Sequence, residues 1–132
     1  MHKAYQYRLE PTLPQRKQIA QFAGCGRWIW NELLKEQRRR YESKEKRMLP
    51  AEMCRFITQL RHAEGMDWLE DCHSQVLQQK TGDMEKGYQA AFKALKEGRT
   101  DVGFPQFKSK YKHFLTDMRL ILILLINAMY FP

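Results

Sequence analysis

The sequence predicts a mainly α-helical protein, with four helices between an N-terminal β-strand and a C-terminal extended segment. Three observations favour this class. Apolar residues recur at helical spacing through most of the chain, an alternating pattern opens it, and a Gly-Phe-Pro-Gln-Phe segment at residues 103 to 107 is incompatible with a helix interior. With 132 residues and a hydrophobic fraction of 43%, the chain is long enough for one compact domain with a core.

The alternating pattern covers residues 3 to 9 and places Tyr5 and Tyr7 on one side, which predicts a strand with an aromatic face. Thr12 and Gln15 follow at the spacing of a capping box, in which each side chain binds the backbone N–H of the other residue. A helix is therefore expected to begin here, directly after the strand.

The first and second helices are predicted to meet at Gly24 and Gly26, which are expected to interrupt the helical pattern. The second helix is expected to run from about Arg27 to Ser43. Asn31 within it is expected to form a buried polar bridge with a structural role. The residues at helical spacing, which predict the buried stripe of this helix, are Trp30, Leu33, Leu34, Gln37 and Tyr41.

A third helix is predicted from Pro50 to about Gly65, and a fourth from Ser74 to Glu97, with Gly98 as the residue that ends it. Both contain apolar residues at the spacing of an amphipathic helix. In the turn between them, Trp68 and Leu69 are expected to pack against the helices.

The segment from residue 99 to residue 114, here called the strap, is predicted to be extended, because Pro105 lacks a backbone N–H and restricts the residue before it. Lys108, Lys110 and Lys112 alternate within it, so in an extended chain they share a face. Together with a formal net charge of +8, this clustering favours a phosphate backbone as the partner. The alternative is a soluble edge strand that its lysines protect from pairing.

Cys25, Cys54 and Cys72 are odd in number and far apart, which predicts buried, reduced thiols and a cytoplasmic location. Cys72 and His73 are neighbours and no Cys-x-x-Cys pair occurs, so neither a metal site nor a cofactor is expected. The polar N-terminus predicts no signal peptide, and the Leu-Ile run at residues 120 to 126 is too short to span a bilayer.

Four motifs follow one another along the chain: Arg8-Leu9-Glu10-Pro11-Thr12, Gly26-Arg27-Trp28-Ile29-Trp30-Asn31, Gln75-Val76-Leu77-Gln78-Gln79 and Gly103-Phe104-Pro105-Gln106-Phe107-Lys108. No single motif is diagnostic, but their order and spacing resemble the N-terminal part of the TnpB (OrfB) proteins of bacterial insertion sequences. That part is described as a transposase helix-turn-helix domain. The resemblance extends over residues 3 to 114.

TnpB-type proteins are RNA-guided DNA nucleases, so the resemblance implies DNA and structured guide RNA as partners, with no small-molecule substrate. It implies that residues 1 to 12 supply the first strand of a wedge barrel, that residues 13 to 98 form a helical recognition lobe, and that the strap returns to the barrel. The lobe and the wedge would hold guide RNA and read a short motif beside the DNA target. The RuvC-like nuclease and the zinc ribbon lie further along such proteins, so neither a catalytic residue nor cleavage activity is expected in these 132 residues.

The sequence departs from the family after His113-Phe114. Residues 115 to 132 form an apolar tail rich in Leu and Ile, where relatives continue with polar strands. We interpret this tail as the product of a truncated or shifted reading frame.

Gln78 is the leading candidate for contact with a base edge, because its amide can pair bidentately with adenine and it lies near the start of the fourth helix. The resemblance also implies motif-reading side chains at this helix start, which adds Ser74, Gln75 and Gln79. The alternative is that these residues are solvated helix formers.

Arg38, Arg39 and Arg40 are candidates for contact with phosphate. Three consecutive residues cannot all face one side of a helix, so one or two of these arginines are expected to be ordinary solvated charges.

Two other function classes remain open. A stand-alone basic helix-turn-helix module would use Gly24 and Gly26 as its turn and place its second helix in the major groove of DNA. The Trp-rich second helix argues against this, since it has the composition of a core helix. A membrane-surface protein would instead use the apolar tail.

Overall fold

The structure is a computed structural model, and it describes residues 2–8 and 10–110. This part of the chain contains four helices: α1 (Leu13–Glu42), α2 (Pro50–Arg61), α3 (Asp67–Glu70) and α4 (Ser74–Lys96). α4 packs against both α1 and α2, and their buried apolar side chains form one core. The predicted mainly α-helical class is confirmed.

α1 is one continuous helix of 30 residues, so the predicted interruption at Gly24 and Gly26 is wrong. A glycine inside a helix lowers its stability by only about 1 kcal/mol relative to alanine, and packing outweighs this. A Cβ atom on Gly26 would lie 2.8 Å from Cε of Lys80 in α4, so this glycine allows the two helices to approach closely. The predicted capping box is present at the helix start, where the Thr12 N–H donates to Oε1 of Gln15 at 2.9 Å.

The predicted N-terminal strand is not formed, because residues 2 to 8 have no regular secondary structure. Tyr5 and Tyr7 are 69% and 82% exposed. A strand needs a partner for its backbone N–H and C=O groups, and the described part of the chain has no second strand to supply one. The wedge barrel implied by the resemblance therefore has no support in these residues.

The side chain of Gln37 connects α1 to the segment before α2. Its Nε2 donates to the carbonyl oxygen of Met48 at 3.0 Å, and its Oε1 accepts the Met48 N–H at 2.9 Å. Both residues are buried, so this two-bond bridge satisfies backbone groups that water cannot reach. The predicted burial of the helix stripe holds for Gln37 but is wrong for Tyr41, which lies in the last turn of α1 and is 85% exposed.

α2 ends at Arg61, before the predicted end at Gly65. Gly65 has a positive φ of 79° and lies in the turn that leads to α3. The two residues predicted to pack in this turn belong to α3. Leu69 is fully buried, and the Trp68 ring meets that of Trp28 edge-on, with ring centroids 5.0 Å apart.

The end of α4 has the backbone geometry predicted for it. Gly98 has a positive φ of 78°, its N–H donates to the carbonyl of Leu95 at 3.0 Å, and the Arg99 N–H donates to that of Ala94 at 3.0 Å. These two bonds define a Schellman motif, which favours glycine because other residues are strained in the left-handed region.

We predict opposite effects on stability for two glycine substitutions in and after α4. Gly98→Ala is expected to lower the free energy of unfolding by about 1–2 kcal/mol, because alanine is strained at positive φ. Gly82→Ala is expected to raise it by up to about 1 kcal/mol, because Gly82 lies inside the helix and nothing lies within 4 Å of an added Cβ. Urea unfolding monitored by circular dichroism measures both. A similar loss in both variants would contradict the prediction.

Cys25 and Cys72 are buried as predicted, but they are bonded to each other. The prediction of reduced thiols is therefore wrong for this pair. The two cysteines are 47 residues apart in sequence. The fold brings Cys25 of α1 next to Cys72, which lies between α3 and α4, and spacing alone does not reveal this. Cys54 is a free thiol. No group of side chains suited to a metal ion occurs among the described residues.

The end of the strap and the whole apolar tail, residues 111 to 132, lie outside the described residues. The interpretations of the tail as a frameshift product and as a membrane-surface segment therefore stay predictions. None of the helices described above is both long and apolar enough to cross a membrane.

Candidate nucleic-acid interface

The exposed surface of α4 carries amides and ammonium groups but no carboxylate. Its acidic residues, Asp83 and Glu85, are half-buried, and their carboxylates are bound to Gln79 and Arg47 respectively. A polyanion that approaches the exposed side of α4 therefore meets mainly positive and neutral groups. The exposed polar side chains of α4 are Gln75, Gln78, Lys86, Gln89, Lys93 and Lys96.

The four predicted base-reading residues all lie in the first two turns of α4, where they differ in exposure. Gln75 and Gln78 are exposed, whereas Ser74 and Gln79 are half-buried. Gln79 uses its Nε2 to donate to Oδ1 of Asp83 at 3.3 Å. The Gln78 amide makes no hydrogen bond to another described residue. Gln78 and Gln75 are therefore the two side chains that a base edge can reach most directly.

Acidic side chains surround the segment just before α4. Those that are exposed at or next to α3 are Asp67, Glu70 and Asp71. The Nδ1 atom of His62 lies 3.5 Å from the Glu70 carboxylate. The negative charge of these side chains disfavours a phosphate at the first turn of α4. Phosphates are favoured further along the helix, near Lys86 and Lys93.

The three consecutive arginines of α1 have different surroundings. Arg39 binds two carboxylates, Glu36 at 2.7 Å and Glu45 at 3.3 Å, and Arg40 binds Glu36 at 3.2 Å. Hydrogen bonds from Arg39 and Arg40 hold the pKa of the Glu36 carboxyl below its ordinary value, against the opposing effect of burial. Arg38 is exposed and forms no ion pair with a described residue. Arg38 is therefore the arginine of this cluster best placed for phosphate.

The strap is bound to α1 through its backbone. The indole Nε1 of Trp30 donates to the carbonyl of Gln106 at 2.8 Å. The Asn31 amide donates to the carbonyl of Lys108 at 3.1 Å and accepts the N–H of the same residue at 2.9 Å. Trp30 is buried, as predicted, and the predicted polar bridge at Asn31 is present. The neighbouring residues Trp30 and Asn31 thus hold the strap at two positions, Gln106 and Lys108.

The three lysines predicted to share a face of the strap do not act alike. The Nζ atom of Lys108 lies 4.4 Å from the centroid of the Trp30 ring, so this lysine takes part in the packing through a cation–π contact. Lys110 is exposed, and Lys112 lies outside the described residues. Within the described part of the strap, Lys110 is the lysine best exposed to phosphate.

Sequence reasoning missed the lysines in the second half of α4. These lysines recur at intervals of seven and three residues, which places them on one face of the helix, on the C-terminal side of Gln78. They are Lys86, Lys93 and Lys96. This spacing was the available signal, and it extends the candidate interface along α4.

Arg47, which lies between α1 and α2, was also missed. Its guanidinium binds the Glu85 carboxylate and lies over the rings of Tyr88 and Phe92, 5.3 Å and 5.6 Å from their centroids. No pattern in the sequence identifies these contacts, because they join segments about 40 residues apart.

We predict that the ion pair of Arg47 and Glu85 makes stability depend on pH in the acid range. Hydrogen bonding by Arg47 holds the pKa of Glu85 below its ordinary value, although burial raises it. A lowered pKa in the folded state stabilises the protein above the ordinary carboxyl pKa, and this contribution is lost as the pH falls through the folded-state pKa. Glu85→Gln should therefore be less stable than the wild type at neutral pH, with the difference vanishing in acid.

The control for this prediction is Glu64→Gln, since Glu64 is exposed and forms no ion pair with a described residue. Thermal unfolding at pH values from 7 to about 3 gives the comparison. A constant difference between Glu85→Gln and the wild type over this range would show that the charge of Glu85 does not matter.

Residues 1–46 match the family model of the helix-turn-helix domain in OrfB proteins of insertion sequences. A match to this domain indicates a protein of the nucleic-acid-binding class. The chain is also 30% identical over 108 residues to InsQ of Escherichia coli, a candidate RNA-guided DNA endonuclease. The alignment covers 82% of this chain and 25% of InsQ, so the chain spans about a quarter of the length of that relative. The chain therefore corresponds to the N-terminal part of a TnpB/OrfB-type insertion-sequence protein, as its motifs predicted.

The matched segment does not have the geometry that the domain's description suggests. Residues 1–46 contain a single helix, α1, in the described residues. The turn proposed at Gly24 and Gly26 for a stand-alone helix-turn-helix module is helical, so that alternative is wrong in this form. The helix that packs against α1 is α4, which begins at Ser74 and lies outside the matched segment.

Proposed function

We propose that this chain binds nucleic acid as the N-terminal region of a TnpB-like protein, with guide RNA, target DNA or both as its ligand. Cleavage would reside in another part of such proteins, since the resemblance puts the nuclease region further along. The observation that carries the proposal is the exposed surface of α4, where lysines and glutamines occur without a carboxylate. The family match and the activity named for InsQ support the same ligand class.

The distribution of charge along α4 suggests that different parts of the helix contact bases and phosphates. Gln75 and Gln78 would contact base edges, because an amide offers the donor and acceptor pair that a base edge requires. Lys86 and Lys93 would contact phosphates and set the position of the protein on the nucleic acid. The exposed carboxylates before α4, such as Asp71, support this direction because they repel phosphate at the start of the helix.

The first test measures the salt dependence of binding. Wild type should bind duplex DNA and structured RNA more weakly as salt rises, without cleaving them. The double variant Lys86→Gln, Lys93→Gln should lower the slope of log affinity against log salt by about 0.7–0.9 for each phosphate that the protein no longer neutralises. The control, Lys44→Gln with Lys46→Gln, removes the same charge from an exposed segment between α1 and α2. Equal effects of both pairs, binding that ignores salt, or metal-dependent cleavage would contradict the proposal.

The second test concerns sequence preference. Gln78→Ala is expected to relax the preference at one base position by about 1–3 kcal/mol and to leave nonspecific affinity unchanged. Selection from a pool of randomised duplex sites measures this preference. Gln59→Ala, on the exposed side of α2, is the matched control. A uniform loss of affinity for all sequences would mean that Gln78 contacts phosphate or packs, and does not read a base.

A further inference from the structure

Three aromatic rings form an exposed cluster where the strap crosses the C-terminal half of α4. We call Tyr88, Phe92 and Phe104 the aromatic patch. Their ring centroids lie 6.1 Å, 6.0 Å and 6.4 Å apart, so each ring contacts both others. Phe92 and Phe104 are 46% and 43% exposed, and neither belongs to the buried core. The neighbouring Leu95 is also half exposed. Contiguous exposed apolar groups of this kind are typical of interaction sites.

The patch is held rigidly from both sides. Beneath Tyr88 and Phe92, the Arg47 guanidinium is fixed by its ion pair with Glu85. Phe104 belongs to the strap, and the next residue, Pro105, packs so closely on α4 that a Cβ atom on Gly87 would lie 3.1 Å from its ring. The rings therefore need no reordering when a ligand binds, which lowers the entropic cost of binding.

The charges around the patch are those of a nucleic-acid site. Lys96 follows Phe92 by four residues, so the two share a face of α4, and Lys93 lies one turn before Lys96 on the exposed side of the helix. The carboxylate of Asp101 is bound by Arg99 at 3.2 Å. A cluster of aromatic rings edged by lysines matches the sites at which single strands stack their bases and neutralise their phosphates.

We propose that the aromatic patch binds unpaired bases of single-stranded nucleic acid, with Phe92 and Phe104 as stacking surfaces and Lys96 as a phosphate ligand. This inference rests on the proposed nucleic-acid function and extends it. It assigns single-stranded segments to the C-terminal half of α4, whereas the amides at the start of the helix are assigned to a duplex. A duplex segment and a single-stranded segment would then bind along the same helix, the duplex at its start and the single strand at its end.

The test uses the full chain and single-stranded DNA and RNA oligonucleotides that contain 2-aminopurine, whose fluorescence falls when the base stacks on an aromatic ring. Wild type should quench this fluorescence on binding. Phe92→Leu keeps an apolar side chain but removes one of the two stacking rings, and it should weaken single-strand binding about 5-fold to 100-fold and reduce the quenching. Affinity for duplex DNA should stay unchanged. The control is Tyr41→Leu, which removes an exposed ring at the end of α1 and should have no effect.

The outcomes separate this inference from the proposed function. If wild type binds duplex DNA or structured RNA but Phe92→Leu binds single strands as tightly as wild type, the inference fails and the proposed function stands. If wild type binds no nucleic acid, the proposed function itself fails. Sedimentation of the free protein gives a third outcome. A wild-type dimer that Phe92→Leu dissociates and that the oligonucleotide does not would mean that the patch joins two copies of the chain, and would overturn the inference.

Discussion

Replacing Gln37 with leucine is expected to lower the free energy of unfolding by about 2–4 kcal/mol, because it leaves the buried N–H and C=O of Met48 without partners. Leucine is close to glutamine in size, so a change in packing contributes little. Gln37 supplies both bonds of the bridge. Urea unfolding at neutral pH measures the loss.

Gln37→Glu separates the bonds of this bridge from packing. A carboxylate still accepts the Met48 N–H, but it faces the Met48 carbonyl without a proton to donate. The deficit of this variant relative to wild type should shrink as the pH falls, because a protonated carboxyl restores the donor. A leucine variant as stable as wild type, or a glutamate variant whose deficit is independent of pH, would show that the bridge contributes little.

Replacing Asn31 with leucine is expected to release the strap without unfolding the helices. The N–H and C=O of Lys108 would lose the partners that now hold them, while the core between α1 and α4 is left intact. Amide hydrogen exchange at Lys108 should quicken by about 10-fold or more, which corresponds to the loss of roughly 1.4 kcal/mol or more of protection. Amides inside α4 should exchange as in wild type.

Trp30→Phe is the companion variant for the strap. It keeps an aromatic ring in the core but removes the Nε1–H that binds the Gln106 carbonyl. We expect a smaller and more local effect than for Asn31→Leu, since this variant removes one hydrogen bond where Asn31 provides two. Uniform acceleration of exchange throughout α4 in either variant would mean that the strap is part of the cooperative core.

The helices were predictable from the sequence where local signals agree. The capping box at Thr12, the proline that opens α2 and the glycine after α4 each mark a boundary through backbone chemistry, and the structure has those boundaries. The break at Gly24 and Gly26 was wrong because it used only the low helix propensity of glycine. The close approach of Lys80 to Gly26 depends on a helix more than 50 residues away, which no local pattern reveals.

The candidate site was predictable in part for the same reason. The amides at the start of α4 belong to a short motif, and the structure exposes Gln75 and Gln78 there. The engagement of Arg39 and Arg40 by carboxylates of α1 and its neighbours depends on which rotamers the fold selects. The stacking of Arg47 on Tyr88 and Phe92 depends on tertiary contacts alone. The charge count therefore predicts the class of ligand, whereas the surroundings of each charged side chain depend on the fold.

The segment that matches the family model is shorter than the unit that folds, because α1 needs a second helix to cover its apolar side. The match to the family model ends at residue 46, but α4, which packs against α1 and shares its core, lies beyond that limit. A peptide cut at residue 46 would present one long amphipathic helix with its apolar side in water, and it would aggregate or remain unfolded. Expression of this region as an autonomous domain accordingly requires α4 and the strap residues that bind α1, Gln106 and Lys108, to accompany α1.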